Sequence, residues 1–341
     1  MTDLRRVPLS VLDLSPVSSG STASQALQST VALAQHVEAL GYRRFWLAEH
    51  HNNPGIASSS PAVLMAAVAA ATRCIRVGSG GVMLPNHPPL VVAEQFGTLE
   101  GLYPGRIDLG IGRAPGTDQL TAMALRRSAG PLSADDFPDQ LSDLIGFLGG
   151  TLPAGHRYGA MVAVPTAGDG PSIWLLGSSG YSAQVAGALG LPFAFAHHFS
   201  PRNTIPALDL YRRAFRPSDA LARPHAMVAV RVLVAADADM ARWMAGSGYL
   251  SFLHLIRGRP GPVPTPEEAA SHVWTEEELA AVAERRDGEA VGGPDEVREA
   301  LAVLLQRTGA DELMATTVVH DPHARLESFT LLSDLFASHG G

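Results

Sequence analysis

Apolar positions along this chain fall into two alternating patterns. Short apolar or β-branched runs at residues 9–12, 44–48, 75–78, 107–111, 173–176, 193–195, 227–234 and 312–317 predict strands. Longer stretches with helical spacing lie between them, at 23–40, 61–72, 90–102, 134–148, 182–189, 202–215, 239–255, 294–307 and 325–338. Strands that alternate with helices imply a parallel sheet with helices packed outside it. Eight strands is the number that closes a barrel, so the expected fold is α/β, a (β/α)₈ TIM barrel, with an open doubly wound sheet as the alternative. Neither an internal repeat nor a domain boundary interrupts the pattern, and residues 1–341 are expected to form one domain. Residues 258–275, which follow the seventh strand and its helix, are rich in proline and lack periodicity. They predict a loop insertion, mobile over the barrel mouth.

Composition narrows the chemistry. The net charge is −8 with no basic run, which argues against nucleic acid and anionic membranes as partners. The single cysteine, Cys74, excludes an internal disulfide and a cysteine metal cluster, and at a strand start it is expected to be a small core residue. Every basic residue is arginine. With no lysine, Schiff-base chemistry and the phosphate-loop lysine of NTPases are excluded. The first apolar run reads as a strand rather than a signal peptide, and no stretch approaches the roughly 20 apolar residues that span a bilayer. A soluble, cytoplasmic protein is expected.

In a parallel barrel the site lies at the C-terminal ends of the strands, and several unusual residues fall there. The second strand runs into Glu49-His50-His51-Asn52, the third into Gly78-Ser79-Gly80-Gly81, the fourth into Gly110-Ile111-Gly112-Arg113 and the fifth into Gly177-Ser178-Ser179-Gly180-Tyr181-Ser182. A Gly/Ser turn opening a helix offers N–H groups and hydroxyls to a phosphate, or simply caps the helix. Arg113 supplies either a counter-charge to that phosphate or a structural ion pair. Adjacent strand residues point to opposite faces, so His50 and His51 do not converge on one metal ion without a turn between them. One histidine acting as base or hydrogen-bond donor is the functional reading, and a strand-end histidine without chemistry the structural one. The glycines at 110, 112 and 116 lack the spacing of a dinucleotide fingerprint.

Taken in order, these segments resemble the bacterial-luciferase-like flavin-dependent monooxygenases. The similarity rests on Phe45-Trp46-Leu47-Ala48-Glu49-His50-His51, Val77-Gly78-Ser79-Gly80-Gly81-Val82-Met83-Leu84-Pro85 and Tyr103-Pro104-Gly105-Arg106-Ile107-Asp108-Leu109-Gly110-Ile111-Gly112-Arg113. Residues 177–182 and Val291-Gly292-Gly293-Pro294 complete it. The closest branch in character includes tailoring oxygenases of aromatic polyketide pathways, such as that of mensacarcin, which brings antibiotic biosynthesis into view. The resemblance implies FMN, bound as FMNH₂ supplied by a separate NAD(P)H:flavin reductase. It implies one oxygen atom of O₂ passing to a small organic substrate by way of a flavin C4a-(hydro)peroxide. Gly80 and Gly81 match a pair joined by a cis peptide behind the flavin ring, and His50 matches the histidine beside the reactive ring. Arg113, Ser178, Ser179 and Ser182, with Gly180 and Tyr181 between them, match the phosphate-binding turn. The chain departs from luciferase itself at Gly112, Ser178 and Ala196, where a cysteine, a glutamate and a serine stand, so light emission is not implied.

The alternatives are a deazaflavin-dependent dehydrogenase on the same barrel, a flavin-binding protein without turnover, and a metal hydrolase using Glu49, His50 and His51. His197, His198, Met83 and Trp243 are further candidates to line the pocket. A homodimer is expected through the second and third barrel helices. Helix 61–72 has no charged side chain on any face, so its outer face would expose alanine, valine or methionine to water unless a second copy covered it.

Overall fold

A strand buried on both sides needs helices against one face and a filled lumen against the other, and the strands of this chain are buried in that way. The computed structural model describes residues 3–114, 118–126, 136–150, 152, 154–165 and 170–337. In chain order the elements are β1 (Leu9–Asp13), α1 (Ala23–Ala39), β2 (Arg44–Leu47), α2 (Pro61–Ala71), β3 (Arg76–Ser79), β4 (Val82–Met83), α3 (Pro89–Leu102), β5 (Ile107–Gly112), α4 (Gln119–Arg126) and α5 (Phe137–Gly149). They continue with β6 (Ser172–Gly177), α6 (Gly180–Ala188), β7 (Phe193–Ala196), α7 (Thr204–Ala214), β8 (Ala226–Val234), α8 (Ala238–Ile256), α9 (Pro266–Ser271) and α10 (Glu276–Asp287). The last are β9 (Glu289–Gly292), α11 (Pro294–Thr308), β10 (Glu312–Thr316) and α12 (Pro322–Phe336). Two ends of the predicted helices, 134–135 and 338, lie outside the described residues.

Strands β1, β2, β3, β5, β6, β7, β8 and β10 pair in parallel in that order, and β10 pairs with both β8 and β1. The sheet is thus a closed parallel barrel of the predicted (β/α)₈ kind. Alternation along β8 shows its two faces. Val228, Val230, Val232 and Val234 join the core between barrel and helices, while Met227 and Ala229 face the lumen with Leu12, Trp46, Trp174, Ala194 and Met314. Trp46 and Trp174 meet edge to face with centroids 5.4 Å apart, so side chains plug the lumen.

Three features of the wall shape the mouth. Strands β3 and β4 are one strand interrupted: Gly78 pairs with Asp108 and Val82 with Ile111, so four residue steps on one side span three on the other. That is a one-residue bulge, and the Gly80–Gly81 peptide bond inside it is cis. Strand β7 ends early, and β9 takes its place beside the upper half of β8, pairing Arg231 with Glu289. Helices α8, α9 and α10 then stand between β8 and β9 in sequence.

Residues 258–275 differ from the expected mobile loop. The Val263 N–H donates to Val17 O at 2.8 Å and its carbonyl accepts from the Ser19 N–H at 2.9 Å, so the segment is strapped to the turn after β1, and Val263 is buried. Within it Thr265 opens α9 with a capping box closed by Glu268, and Thr275 with Glu278 repeats the device at α10. Thr-Pro-Glu-Glu is a helix-start signature, here masked by the prolines before it. Cys74 also differs from expectation, being exposed rather than in the core. The Glu38 carboxylate accepts the N–H groups of Arg73, Cys74 and Ile75 at 2.8, 2.6 and 2.9 Å, which fixes the turn with its thiol outward. Among the described residues no helix is long and apolar enough to cross a membrane.

Candidate active site

The residues singled out at the ends of β2, β3, β5 and β6 gather round one rim. Arg113 follows β5 directly, and its guanidinium carbon lies 4.2 Å from the centroid of the Tyr181 ring at the start of α6. The guanidinium is thus a cation stacked on an aromatic face. Ser178 and Ser179 are exposed beside it. Ser179 is the N-cap of α6, yet its hydroxyl makes no capping bond. Hydroxyls and helix N–H groups are therefore unspent at the positive end of the helix dipole. Ser182 sits in the first turn of α6 and is buried, where a side chain at Gly177 would place its Cβ 2.8 Å from the Ser182 Cβ.

Gly80 and Gly81 form the neighbouring stretch of rim. A Cβ on Gly81 would lie 2.8 Å from the Gly110 carbonyl oxygen, and one on Gly80 would lie 2.5 Å from Leu12 Cδ1. Strand packing thus excludes side chains here, and the wall presents bare backbone. On Gly112 a Cβ would meet Met83 Sδ at 2.7 Å; Met83 therefore belongs to this wall.

Past the end of β2 the alternation of faces persists. Glu49 and His51 turn one way and His50 the other. Glu49 is fully buried and its Oε1 lies 2.9 Å from His51 Nε2 and 2.8 Å from His87 Nε2, while Oε2 accepts the Met83 N–H at 3.0 Å. Burial pushes the Glu49 carboxyl up, but these bonds and the charge of His87 outweigh it and the pKa falls below the usual carboxylate value. The carboxylate is a clamp between the β2 and β4 ends, and no group of three His, Cys, Asp or Glu among the described residues is arranged to hold a metal ion. His50 donates its backbone N–H to Ser58 O at 3.0 Å, and its Nδ1 is buried without a hydrogen-bond partner in the protein. Burial lowers its pKa, with Glu49 opposing and His51 adding to the effect, so the imidazole is neutral at pH 7.

On β7 and β8 the structure brings together residues that sequence reasoning left apart. His197 Nδ1 lies 2.7 Å from Thr204 Oγ1, and His198 Nδ1 lies 3.0 Å from the Ala229 carbonyl. Burial lowers their pKa values to about 4 and about 3, with Arg307 adding to the first and Arg231 and Arg285 to the second. Trp243, the other residue suggested for the pocket, is 42% exposed on α8. Arg231 was missed, although it is the one charged residue in the apolar run Ala226–Val234, and a charge inside such a strand is the signal that marks it. By alternation it points into the lumen above Ala229.

Residues 7–312 match the family model described as luciferase-like monooxygenase. YvbT of Bacillus subtilis strain 168 is 51% identical over 328 residues, covering 96% of each chain. The N-acetyl-S-alkylcysteine monooxygenase of the same strain is 38% identical over 331 residues, covering 96% of this chain and 98% of its own. Among solved structures, apo-MsnO8 superposes with a TM-score of 0.89 at 38% identity, covering 97% of this chain and 98% of its own.

Proposed function

This chain belongs to the luciferase-like monooxygenases, and from that premise we propose that it uses reduced FMN, delivered by a separate NAD(P)H:flavin reductase, to put one atom of O₂ into a small organic substrate. One observation carries the cofactor reading: Arg113 stacked on Tyr181 beside the unspent hydroxyls of Ser178 and Ser179 at the start of α6. The donor set suits a phosphate, since a guanidinium, two hydroxyls and the N–H groups of Gly180 and Tyr181 are all carried at or beside a positive helix end. Arg113, Ser178, Ser179, Gly180, Tyr181 and Ser182 are the residues proposed to hold the FMN phosphate. The side-chain-free wall at Gly80 and Gly81 is the proposed backing for the flavin ring. Bound there, the flavin supplies the activation of O₂.

The protein's part is to orient, to exclude water and to manage one proton. His50, neutral and with Nδ1 unclaimed by the protein, is the proposed group that holds or moves that proton at the ring. A general acid–base group contributes ~10²–10⁴-fold. His50→Ala should therefore lose that much product formation while keeping reduced-FMN affinity; unchanged product yield removes the role. In the same assay Arg113→Ala should weaken reduced FMN more than reduced riboflavin, because only FMN carries the phosphate. Equal weakening moves the phosphate elsewhere. Two substrate classes are proposed for assay: aromatic polyketide intermediates, from the sequence resemblance, and N-acetyl-S-alkylcysteines, from the named relative.

A homodimer through α2 and α3 is also proposed. Val63, 72% exposed, shares the outer face of α2 with exposed Ala67 and Ala70, and α3 adds exposed Val91 and Leu102. Covering such a face stabilises association by ~25 cal/mol per Å² of apolar surface. Sedimentation equilibrium at micromolar protein should show twice 35.8 kDa, and Ala67→Arg should halve it. A 35.8 kDa species for the parent chain refutes the dimer.

A further inference from the structure

At the upper end of β8 lie buried Arg231 and half-buried Arg285, with buried donors that nothing among the described residues accepts. Nε and Nη1 of Arg231 and Nε of Arg285 have no hydrogen-bond partner among the described residues. Arg231 is 8% exposed and lies directly across the sheet from Glu289 on one side and Thr316 on the other. Arg285 reaches in from α10, its guanidinium carbon 4.4 Å from the centroid of the Phe252 ring on α8. Glu289 is the acidic group of the cluster. Its Oε1 accepts from the Tyr249 hydroxyl, while its Oε2 is buried and also without a partner. Thr316 Oγ1, on the neighbouring strand, is unpartnered too.

The balance of charge and donors is uneven. Arg231, Arg285 and Arg286 all act on the one carboxylate; Arg286 is exposed and answered by solvent, so the two inner guanidinium groups leave one positive charge unanswered. Burying a charge without a partner costs several kcal/mol, so folded chains pair such groups or use them. Burial lowers the pKa of Arg231 to about 10, with Glu289 opposing, and of Arg285 to about 8, with Arg231 adding to the fall. Burial raises that of Glu289, against the pull of Tyr249 and the arginines. Both arginines remain cationic at pH 7.

We propose that Arg231 and Arg285 recognise a carboxylate carried by the organic substrate, so that the enzyme selects monoanionic acids. A monoanion balances the surplus charge, whereas a phosphate dianion would overshoot it beside Glu289. The cluster sits on β8, two strands round the barrel from the β6 turn, so it is separate from Arg113 and the α6 start. Its lumen-facing place above Ala229 and next to His198 puts the anchor on the inner side of the mouth. Half of it comes from α10, the helix that follows the insertion, which delivers Arg285. The assignment of the anion to the substrate rests on the monooxygenase reading; the anion site itself does not.

The test titrates benzoate, its neutral counterpart benzamide and inorganic phosphate into the full chain by calorimetry, with and without FMN. Benzoate is expected to bind about tenfold or more tightly than benzamide, the worth of one charge-assisted contact. Arg231→Met should abolish that preference and leave benzamide unchanged, and Arg285→Met should reduce it; FMN affinity should survive in both. Arg231→Gln provides a second variant should the methionine chain misfold. No preference for benzoate in either flavin state, a preference that survives both arginine changes, or stronger binding of phosphate than benzoate each overturns the carboxylate site. Competition between FMN and benzoate would instead place the flavin phosphate at Arg231, which overturns this proposal and the Arg113 reading together. Failure of FMN to bind in its reduced as well as its oxidised form, with the benzoate preference intact, removes only the flavin reading.

Discussion

Both ends of the barrel bury arginine in the lumen, and they treat it differently. At the N-terminal end Arg44 lies 2.7 Å from Asp108 and 3.0 Å from Glu312, Arg76 lies 2.7 Å from Asp108, and Trp46 and Ser10 complete the carboxylates' bonds. Asp108 and Glu312 are fully buried, and every charge there is answered. Burial opposes the ionised form of Arg44, but Asp108 and Glu312 more than offset it and its pKa rises. At the C-terminal end Arg231 and Arg285 have burial without that answer, and their pKa values fall. One end spends its charges on holding the strands in register; the other keeps donors unspent. The contrast matches the division of labour in this fold, where the N-terminal face stabilises and the C-terminal face carries chemistry.

Breaking the paired end should have the largest effect. Asp108→Ala leaves buried Arg44 and half-buried Arg76 with one partner fewer and should cost about 3–5 kcal/mol of unfolding free energy, read from urea denaturation. A loss under about 1 kcal/mol would mean that the network does not hold the barrel.

Acid should act on the mouth before the base of the barrel. His198 and His197 have folded pKa values of about 3 and about 4, and an unfolded histidine lies near 6.5. Because the folded values are depressed, the unfolded chain binds more protons between pH 6.5 and 4, and stability rises with pH across that window. Full stability is present above pH 6.5. Falling to pH 5 should cost about 1–2 kcal/mol for the buried His198, and His198→Gln should flatten the slope of unfolding free energy against pH. An unchanged slope in that variant assigns the acid loss to other groups.

The smallest effect sharpens the comparison most. Arg231→Met removes a buried charge that has no ion pair or hydrogen-bond acceptor for Nε and Nη1 among the described residues, so stability should stay within about 1 kcal/mol of the parent or rise. A loss matching that of Asp108→Ala would show Arg231 to be a structural partner after all, and the two ends would then be alike.

The barrel was legible because its signal is periodic and local. Strand runs such as 107–111 and 173–176 and the alternation of helices are written in neighbouring residues, and closure follows from their number. Much of the candidate rim was legible for the same reason: Arg113, residues 178–182, Gly80, Gly81 and His50 each sit at the end of a predicted strand. The α9–α10 pair was not, because four prolines between 260 and 266 break periodicity just before two capping boxes.

What the sequence by itself determined was the eight barrel strands, though not β4 or β9, the family motifs and the exclusion of lysine and disulfide chemistry. What only the tertiary structure decided was which side chains answer one another. Glu49 meets His87 across 38 positions of chain, Arg44 meets Glu312 across 268, and Arg231 faces Glu289 by strand register while finding no ion pair among the described residues. Periodicity tells which face a residue presents, but whether a buried charge is paired depends on strands that are neighbours in space and distant in sequence.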